Sequence, residues 1–220
     1  MDTVSLHNSG GQPVDMTELI ELRDGWWWPK HDKEAWKWIP REIQALPELL
    51  KWVPERGTII QAGANCGVWI KAYASLFNKV YTFEPNDLNW ECLLRNVNEP
   101  NVNMTKAGLS DRMGYCKSVD GEAENWGAMQ IEESESGIPM VTIDSLNIDC
   151  DLIQLDVEGF EENALKGAFH TIQRCKPVII IEQKRLGKNG MTDAEIAIMI
   201  QDWGYYFAER VISDNVFIPR

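Results

Sequence analysis

Short apolar runs of strand length alternate with stretches of helical spacing from residue 58 to the end of the chain. Thr-Ile-Ile-Gln-Ala at 58–62 is β-rich and stops at Gly63, and Lys-Val-Tyr-Thr-Phe at 79–83 stops at Glu84-Pro85. Between them, residues 68–77 carry Trp69, Ala72, Tyr73 and Leu76 on one helical face. Asp87 can cap a helix reaching about residue 97, with Leu88, Cys92 and Leu93 turned inward. Further strands are expected at 102–107, 152–157 and 177–181; the last is the most apolar, as a central parallel strand should be. A helix is expected over 161–173. Thr192 and Glu195 form a capping box ahead of the stripe Ile196, Met199, Ile200 and Trp203. Residues 205–220 read as two strands joined near Ser213-Asp214-Asn215. Only 113–143 breaks the rhythm, with short strands and an acidic run (Glu122, Glu124, Glu132, Glu133, Glu135) that reads as hairpins inserted at the sheet edge. The alternation predicts an α/β fold: a doubly wound, mostly parallel sheet, helices on both faces, and a terminal antiparallel hairpin.

The first fifty residues have another texture. Residues 1–24 are polar and read as a loosely held arm. Residues 25–52 hold a tryptophan cluster and then a helical stretch broken by Pro40 and Pro47. The expected division is therefore 1–54, an arm with a helical Trp-rich extension, and 55–220, the α/β domain. Ten residues of the chain are Trp, and Trp26, Trp27, Trp28, Trp36 and Trp38 are crowded together. Such a cluster either packs the extension onto the sheet or shields a site.

Charge narrows the partners. Asp and Glu number 34 against 21 Lys and Arg, a net charge of −13, so the average surface repels phosphate polymers and nucleic acid is disfavoured as a partner. Five cysteines, an odd number at irregular spacings, argue against a disulfide framework and for a reducing, cytoplasmic setting. No uncharged apolar stretch approaches the ~18 residues of a membrane span. The opening Met1-Asp2-Thr3-Val4 lacks the basic and apolar segments of a secretory leader.

In doubly wound sheets, ligands bind beyond the carboxyl ends of the strands. The first candidate is Gly63-Ala64-Asn65-Cys66-Gly67, between strand and helix. A G-x-G-x-x-G fingerprint fails in both phases, since Gln61 and Cys66, or Asn65 and Val68, stand where glycines are needed. Nor is there a Gly-Lys-Ser or Gly-Lys-Thr of a phosphate-binding loop. Glu84, however, follows Gly63 at about the 20-residue spacing of a ribose-binding acid. A glycine loop and a ribose acid without phosphate recognition suit a nucleoside cofactor lacking phosphate, and S-adenosylmethionine is the obvious one. The plainer reading is a strand–helix turn followed by a solvated strand end.

Three stretches carry a family resemblance: Gly57-Thr-Ile-Ile-Gln-Ala-Gly-Ala-Asn-Cys-Gly67, Val80-Tyr-Thr-Phe-Glu-Pro85 and Asp151-Leu-Ile-Gln-Leu-Asp-Val-Glu-Gly-Phe-Glu161. With Leu165-Lys-Gly167 and Pro177-Val-Ile-Ile-Ile-Glu182, they resemble the FkbM family of S-adenosylmethionine-dependent methyltransferases over roughly residues 55–185. The resemblance implies a class I (Rossmann-like) methyltransferase fold and O-methylation of hydroxyls on sugars, glycans or other small molecules. It also implies that Gly63, Asn65 and Gly67 pass under the methionine end of the cofactor and that Glu84 holds the ribose diol. Asn86 or Asp87 would flank the adenosine, and Ser110 or Asp111 would meet the adenine. The Trp-rich segment and the acidic insertion lie outside the shared core.

Asp156, Glu158 and Glu161 close one predicted strand, and Glu182 closes its neighbour on the same rim. Acids gathered there are costly unless they bind something positive or share protons. One of them can accept the proton of an attacking hydroxyl, the set can hold a divalent cation that acidifies it, or Glu161 can cap its helix. Asp156, Glu158 and Glu182 are the catalytic candidates, with Asp156 also counted among the cofactor contacts; Glu161 reads as structural. The metal question stays open. Rival functions are a nucleic-acid methyltransferase, a nicotinamide-dependent oxidoreductase (disfavoured by the failed glycine spacing) and a non-catalytic partner-binding module. The first lacks an Asn/Asp-Pro-Pro-aromatic element for a flipped base. His31 lies inside the Trp cluster without a supporting motif.

Overall fold

A computed structural model describes residues 15–119, 130–182 and 191–220. Its main sheet uses β3 (Thr58–Ala62), β4 (Lys79–Phe83), β5 (Val102–Thr105), β10 (Leu152–Leu155), β11 (Val178–Glu182), β12 (Tyr205–Val211) and β13 (Asp214–Pro219). They lie in the order β12-β13-β11-β10-β3-β4-β5. β3, β4, β5, β10 and β11 are paired in parallel, while β13 runs antiparallel to β11 and β12. The expected doubly wound sheet with a terminal hairpin is therefore present.

Its central strands β3, β10 and β11 are buried on both faces, so their successive side chains enter different cores. Ile59, Val178 and Ile180 pack with Leu49, Tyr73 and Leu93 from α2 (Leu46–Leu50), α3 (Val68–Ala74) and α4 (Asp87–Asn96). Ile60, Ile179 and Ile181 pack on the other face with Ile143, Leu165, Ile172 and Ile200 from α5 (Ile143–Leu146), α6 (Glu161–Lys166), α7 (Phe169–Cys175) and α8 (Asp193–Asp202). The expected helix over 161–173 is thus two helices. Gly167 causes the break: a Cβ there would lie 2.0 Å from the Ser110 carbonyl oxygen, so the backbones touch at that point. At α4 the cap is Asn86, not Asp87, its side chain accepting from the Leu88 and Asn89 N–H groups. The Thr192–Glu195 capping box forms as expected.

The interrupted region builds a second sheet, order β6-β9-β7-β8, from β6 (Gly108–Leu109), β7 (Gly114–Val119), β8 (Gln130–Ser134) and β9 (Ile138–Val141). Glu122 and Glu124 of the acidic run lie outside the described residues.

The amino-terminal segment corrects an expectation. The Trp triplet lies in β2 (Trp26–Pro29), paired antiparallel with β1 (Ile20–Arg23), and not in a helix. Asp24 and Gly25 both take positive φ (50° and 84°), the geometry of a two-residue hairpin turn. Residues 15–24 are therefore a short 3₁₀ turn and a paired strand, while the rest of the expected arm is outside the described residues. α1 (Ala35–Glu42) runs through Pro40, and Pro47 sits in the first turn of α2, where no intrahelical donor is lost. Asn96 docks the hairpin: it exchanges hydrogen bonds with the Trp27 backbone (2.8 and 2.9 Å) and donates to the Cys66 carbonyl (2.7 Å). Trp28 is buried beside Cys66, Leu88 and Cys92, so this part of the cluster packs the extension onto the domain.

Candidate active site

The strand register sets the site. Phe83 pairs with Ala62, Ala62 with Leu155, and Leu155 with Ile181, one row across four parallel strands. The next residue along each strand direction is Glu84, Gly63, Asp156 and Glu182. The connection order reverses between β3 and β10, and a doubly wound sheet opens its crevice there. A cavity of about 230 Å³ lies over this row and touches all four residues.

Gly63 has φ of 84°, and a Cβ on it would lie 1.7 Å from the Asp156 carbonyl oxygen. Only glycine lets the β3 loop pass flush against the end of β10. Asn65 also takes a positive φ, 50°, and its backbone N–H donates to Glu84 Oε2 (2.7 Å). The Asn86 N–H donates to Glu84 Oε1 (2.8 Å). Burial pushes the Glu84 carboxyl up to about 7, against the pull of the Asn86 and Asn65 amides. This acid is fixed by two backbone donors at the base of the cavity.

Asp156, Glu158 and Glu182 each place one carboxylate oxygen within 4.8 Å of the others. Glu158 is buried, with φ of 51°, in the loop between β10 and α6. Glu161 secures that loop by accepting from the Val157 and Gly159 N–H groups (3.1 and 3.0 Å). Burial pushes its carboxyl up to about 7 as well, with the nearby Glu158 charge adding to the rise. This geometry is that of a structural cap.

Not every candidate reaches the cavity. Gly67 (φ 91°) turns the chain into α3 behind the loop, where a Cβ would strike Val97 and Leu93 at 2.6 and 2.8 Å. Its close neighbour is the α4 face, and it does not line the cavity. After β5, Ala107, Gly108 and Leu109 line the wall, but the chain then enters the second sheet. Ser110 is consequently buried against Gly167, and Asp111 borders a separate concavity with Thr142, Asp144 and Lys166. His31 is exposed and outside the lining.

Further residues complete the enclosure, and of them sequence reasoning ties only Trp38 to a site, as part of the tryptophan cluster that packs or shields. Glu34 at the N-cap of α1, and Trp38 and Glu42 within it, border the cavity, with Trp69 from α3 and Phe160 from the β10–α6 loop. The four-residue spacing of Glu34, Trp38 and Glu42 was the available signal, because it places them on one helical face.

A parallel sheet in this order, with a glycine loop on β3 and a buried acid ending β4, defines a doubly wound α/β protein with its ligand crevice at the switch point. The model of the methyltransferase FkbM domain matches residues 61–207, and the chain belongs to that family of S-adenosylmethionine-dependent methyltransferases. Among solved structures, the chain is similar to an FkbM methyltransferase from Methylobacillus flagellatus KT (18% identity, TM-score 0.48, covering 74% of this chain). The match spans 43% of that longer chain. It is also similar to a SAM-dependent methyltransferase from Aquifex aeolicus (15% identity, TM-score 0.47, covering 86% of this chain and 94% of that one). A search of curated proteins finds no significant match. Among the described residues, no helix is long and apolar enough to cross a membrane.

The cavity fits the family's cofactor. Gly63 presents bare backbone, Glu84 offers a fixed carboxylate, and Phe83, Leu109 and Ile131 supply apolar surface for a flat base. Among the described lining residues there is no Lys, Arg or His, which suits a ligand without phosphates and with a sulfonium charge.

Proposed function

We propose that the protein methylates a hydroxyl oxygen of a sugar, glycan or other small molecule. The observation that carries this reading is the convergence of Asp156, Glu158 and Glu182 on the floor of the cavity beside Gly63 and Glu84. S-adenosylmethionine, when bound, supplies a methyl group already activated on sulfur. Glu84 would hold its ribose diol, Gly63 and Asn65 its amino-acid end, and Ala107, Gly108 and Leu109 its base. The protein then has to orient the acceptor, exclude water and take up one proton. Asp156, with Glu158 and Glu182 against it, would take up the proton of the acceptor's hydroxyl. The three carboxylates offer acceptor oxygens within 4.8 Å of one another at the point where that proton has to be received.

The ionisable residues of the described lining are all acids, which supports a small acceptor over a nucleic acid, whose phosphates would enter a field of their own sign. The test is incubation with S-adenosylmethionine and a panel of hydroxylated sugars, read by mass spectrometry for a methyl ether. Cofactor retention with an O-methylated product supports the reading; transfer to RNA or DNA alone, or no cofactor binding, overturns it. The same three carboxylates have the oxygen chemistry of a divalent-cation site. Turnover abolished by EDTA and restored by Mg²⁺ would give the acidifying role to a cation; turnover indifferent to EDTA leaves it with Asp156.

A further inference from the structure

The family's chemistry accounts for the cavity floor but not for the α1 wall. Glu34, Trp38 and Glu42 stand at successive four-residue intervals, so one face of α1 presents a carboxylate, an indole and a carboxylate along the cavity. Trp38 is 53% exposed, a large apolar area to leave in water. Its ring is nevertheless held in place, because Nε1 donates to Glu34 Oε2 (3.2 Å). The wall itself is anchored: buried Asp32 accepts from the Glu34, Ala35 and Trp36 N–H groups (each 3.0 Å), fixing the start of the helix.

We infer that this wall recognises a positively charged group, an ammonium or guanidinium, on the methyl acceptor. The inference rests on the methyltransferase reading and names the acceptor's class. Three observations on this wall and cavity carry it. The ionisable groups lining the cavity, among the described residues, are Glu34, Glu42, Glu84, Asp156, Glu158 and Glu182, with no cation. The indole offers a negative π-face between two carboxylates, the combination that binds organic cations. The chain's own cations already gather here: the Arg41 guanidinium lies 5.5 Å from the Trp38 ring centre, and Lys37 Nζ is 3.3 Å from Glu34 Oε1. Beside carboxylates an acceptor amine stays protonated and is no nucleophile. The charged group therefore anchors the acceptor, and a hydroxyl of the same molecule remains the methylated atom. An amino sugar has both groups.

The experiment compares three trisaccharides on the protein saturated with S-adenosylhomocysteine: a glucosamine trimer, its N-acetylated counterpart and a neutral glucose trimer. Calorimetry should show the charged trimer binding about tenfold more tightly than either, with the advantage shrinking at 0.5 M salt. Trp38→Leu and Glu42→Gln should each remove most of that advantage while leaving cofactor affinity and melting temperature at wild-type values. Equal, reversed or absent binding of the charged trimer, or a preference surviving both substitutions, overturns the inference. Normal cofactor binding in those circumstances leaves the methyltransferase reading standing, whereas loss of cofactor binding by the wild-type protein removes both.

Discussion

Glu84, Gly63, Asp156 and Glu182 on the cavity floor follow one registered row of four strands, whereas Glu34, Trp38 and Glu42 on its wall follow one another along a single helix. Floor residues are held through the backbone. Gly63 is seated on the Asp156 carbonyl, and two main-chain amides grip Glu84, so the floor cannot shift without disturbing the sheet. The hairpin that precedes the wall reaches the domain through side chains, chiefly Asn96 against Trp27 and Cys66, and Trp28 against the helices below. A site built in this way can keep its chemistry while its acceptor preference changes, because the two are attached by different means.

The largest effect should come from the floor's tightest contact. Gly63→Ala places a methyl group inside the van der Waals radius of the Asp156 carbonyl and strains a residue at positive φ. Loss of measurable S-adenosylmethionine binding is expected, with a lowered melting temperature; calorimetry showing wild-type affinity would mean the loop does not form the cofactor surface. Asp156→Asn keeps the shape and removes the base. Turnover should fall about 10²- to 10³-fold with cofactor affinity nearly intact, and single-turnover kinetics separate the two.

Glu84→Gln comes next. The ionised carboxylate is the better acceptor for a ribose diol, so affinity should drop about tenfold. In the wild type, burial holds the Glu84 carboxyl near 7, so cofactor binding should weaken as the pH falls from 8 to 6, and the substitution should flatten that dependence. The same shift has the opposite sign for folding. A carboxyl with a raised folded-state pKa favours the fold fully below its unfolded value and loses that contribution as the pH rises through about 7. Glu161 adds to the same trend. The cofactor-free protein should therefore melt at a higher temperature at pH 5 than at pH 7.5, and Glu84→Gln with Glu161→Gln should narrow the gap. Smallest is the wall's attachment. Asn96→Ala removes two hydrogen bonds to the hairpin and one to the Cys66 carbonyl, costing about 2 kcal/mol of stability by urea unfolding, with less effect on cofactor binding than any floor substitution.

The central domain was legible because its signals are local. Apolar runs of strand length bounded by glycine or proline specify strands buried on both faces, and Thr192 with Glu195 specifies a helix start without outside help. The hairpin at Asp24-Gly25 had an equally local signal, masked by the three tryptophans that follow it and by the prolines further on. Pro40 did not break α1, and Gly167 did break the helix after β10, because a backbone contact with Ser110 decided the latter. Glu84, Gly63, Asp156 and Glu182 could be placed on one rim from topology alone, since parallel strands share their carboxyl ends.

Sequence by itself determined the order of the elements, the missing phosphate fingerprint and the acids that end the strands, all consequences of residues within a few positions of one another. Only the tertiary structure decided that Gly67, Ser110 and Asp111 face other neighbours than the cavity, and that Trp38 stands in its wall while Trp28 is sealed into the core. Those outcomes depend on which distant surface each residue meets: α4 behind Gly67, Gly167 against Ser110, and Asn96 beneath the hairpin. Contacts between residues far apart in the chain leave no periodicity to read, and packing alone assigns them.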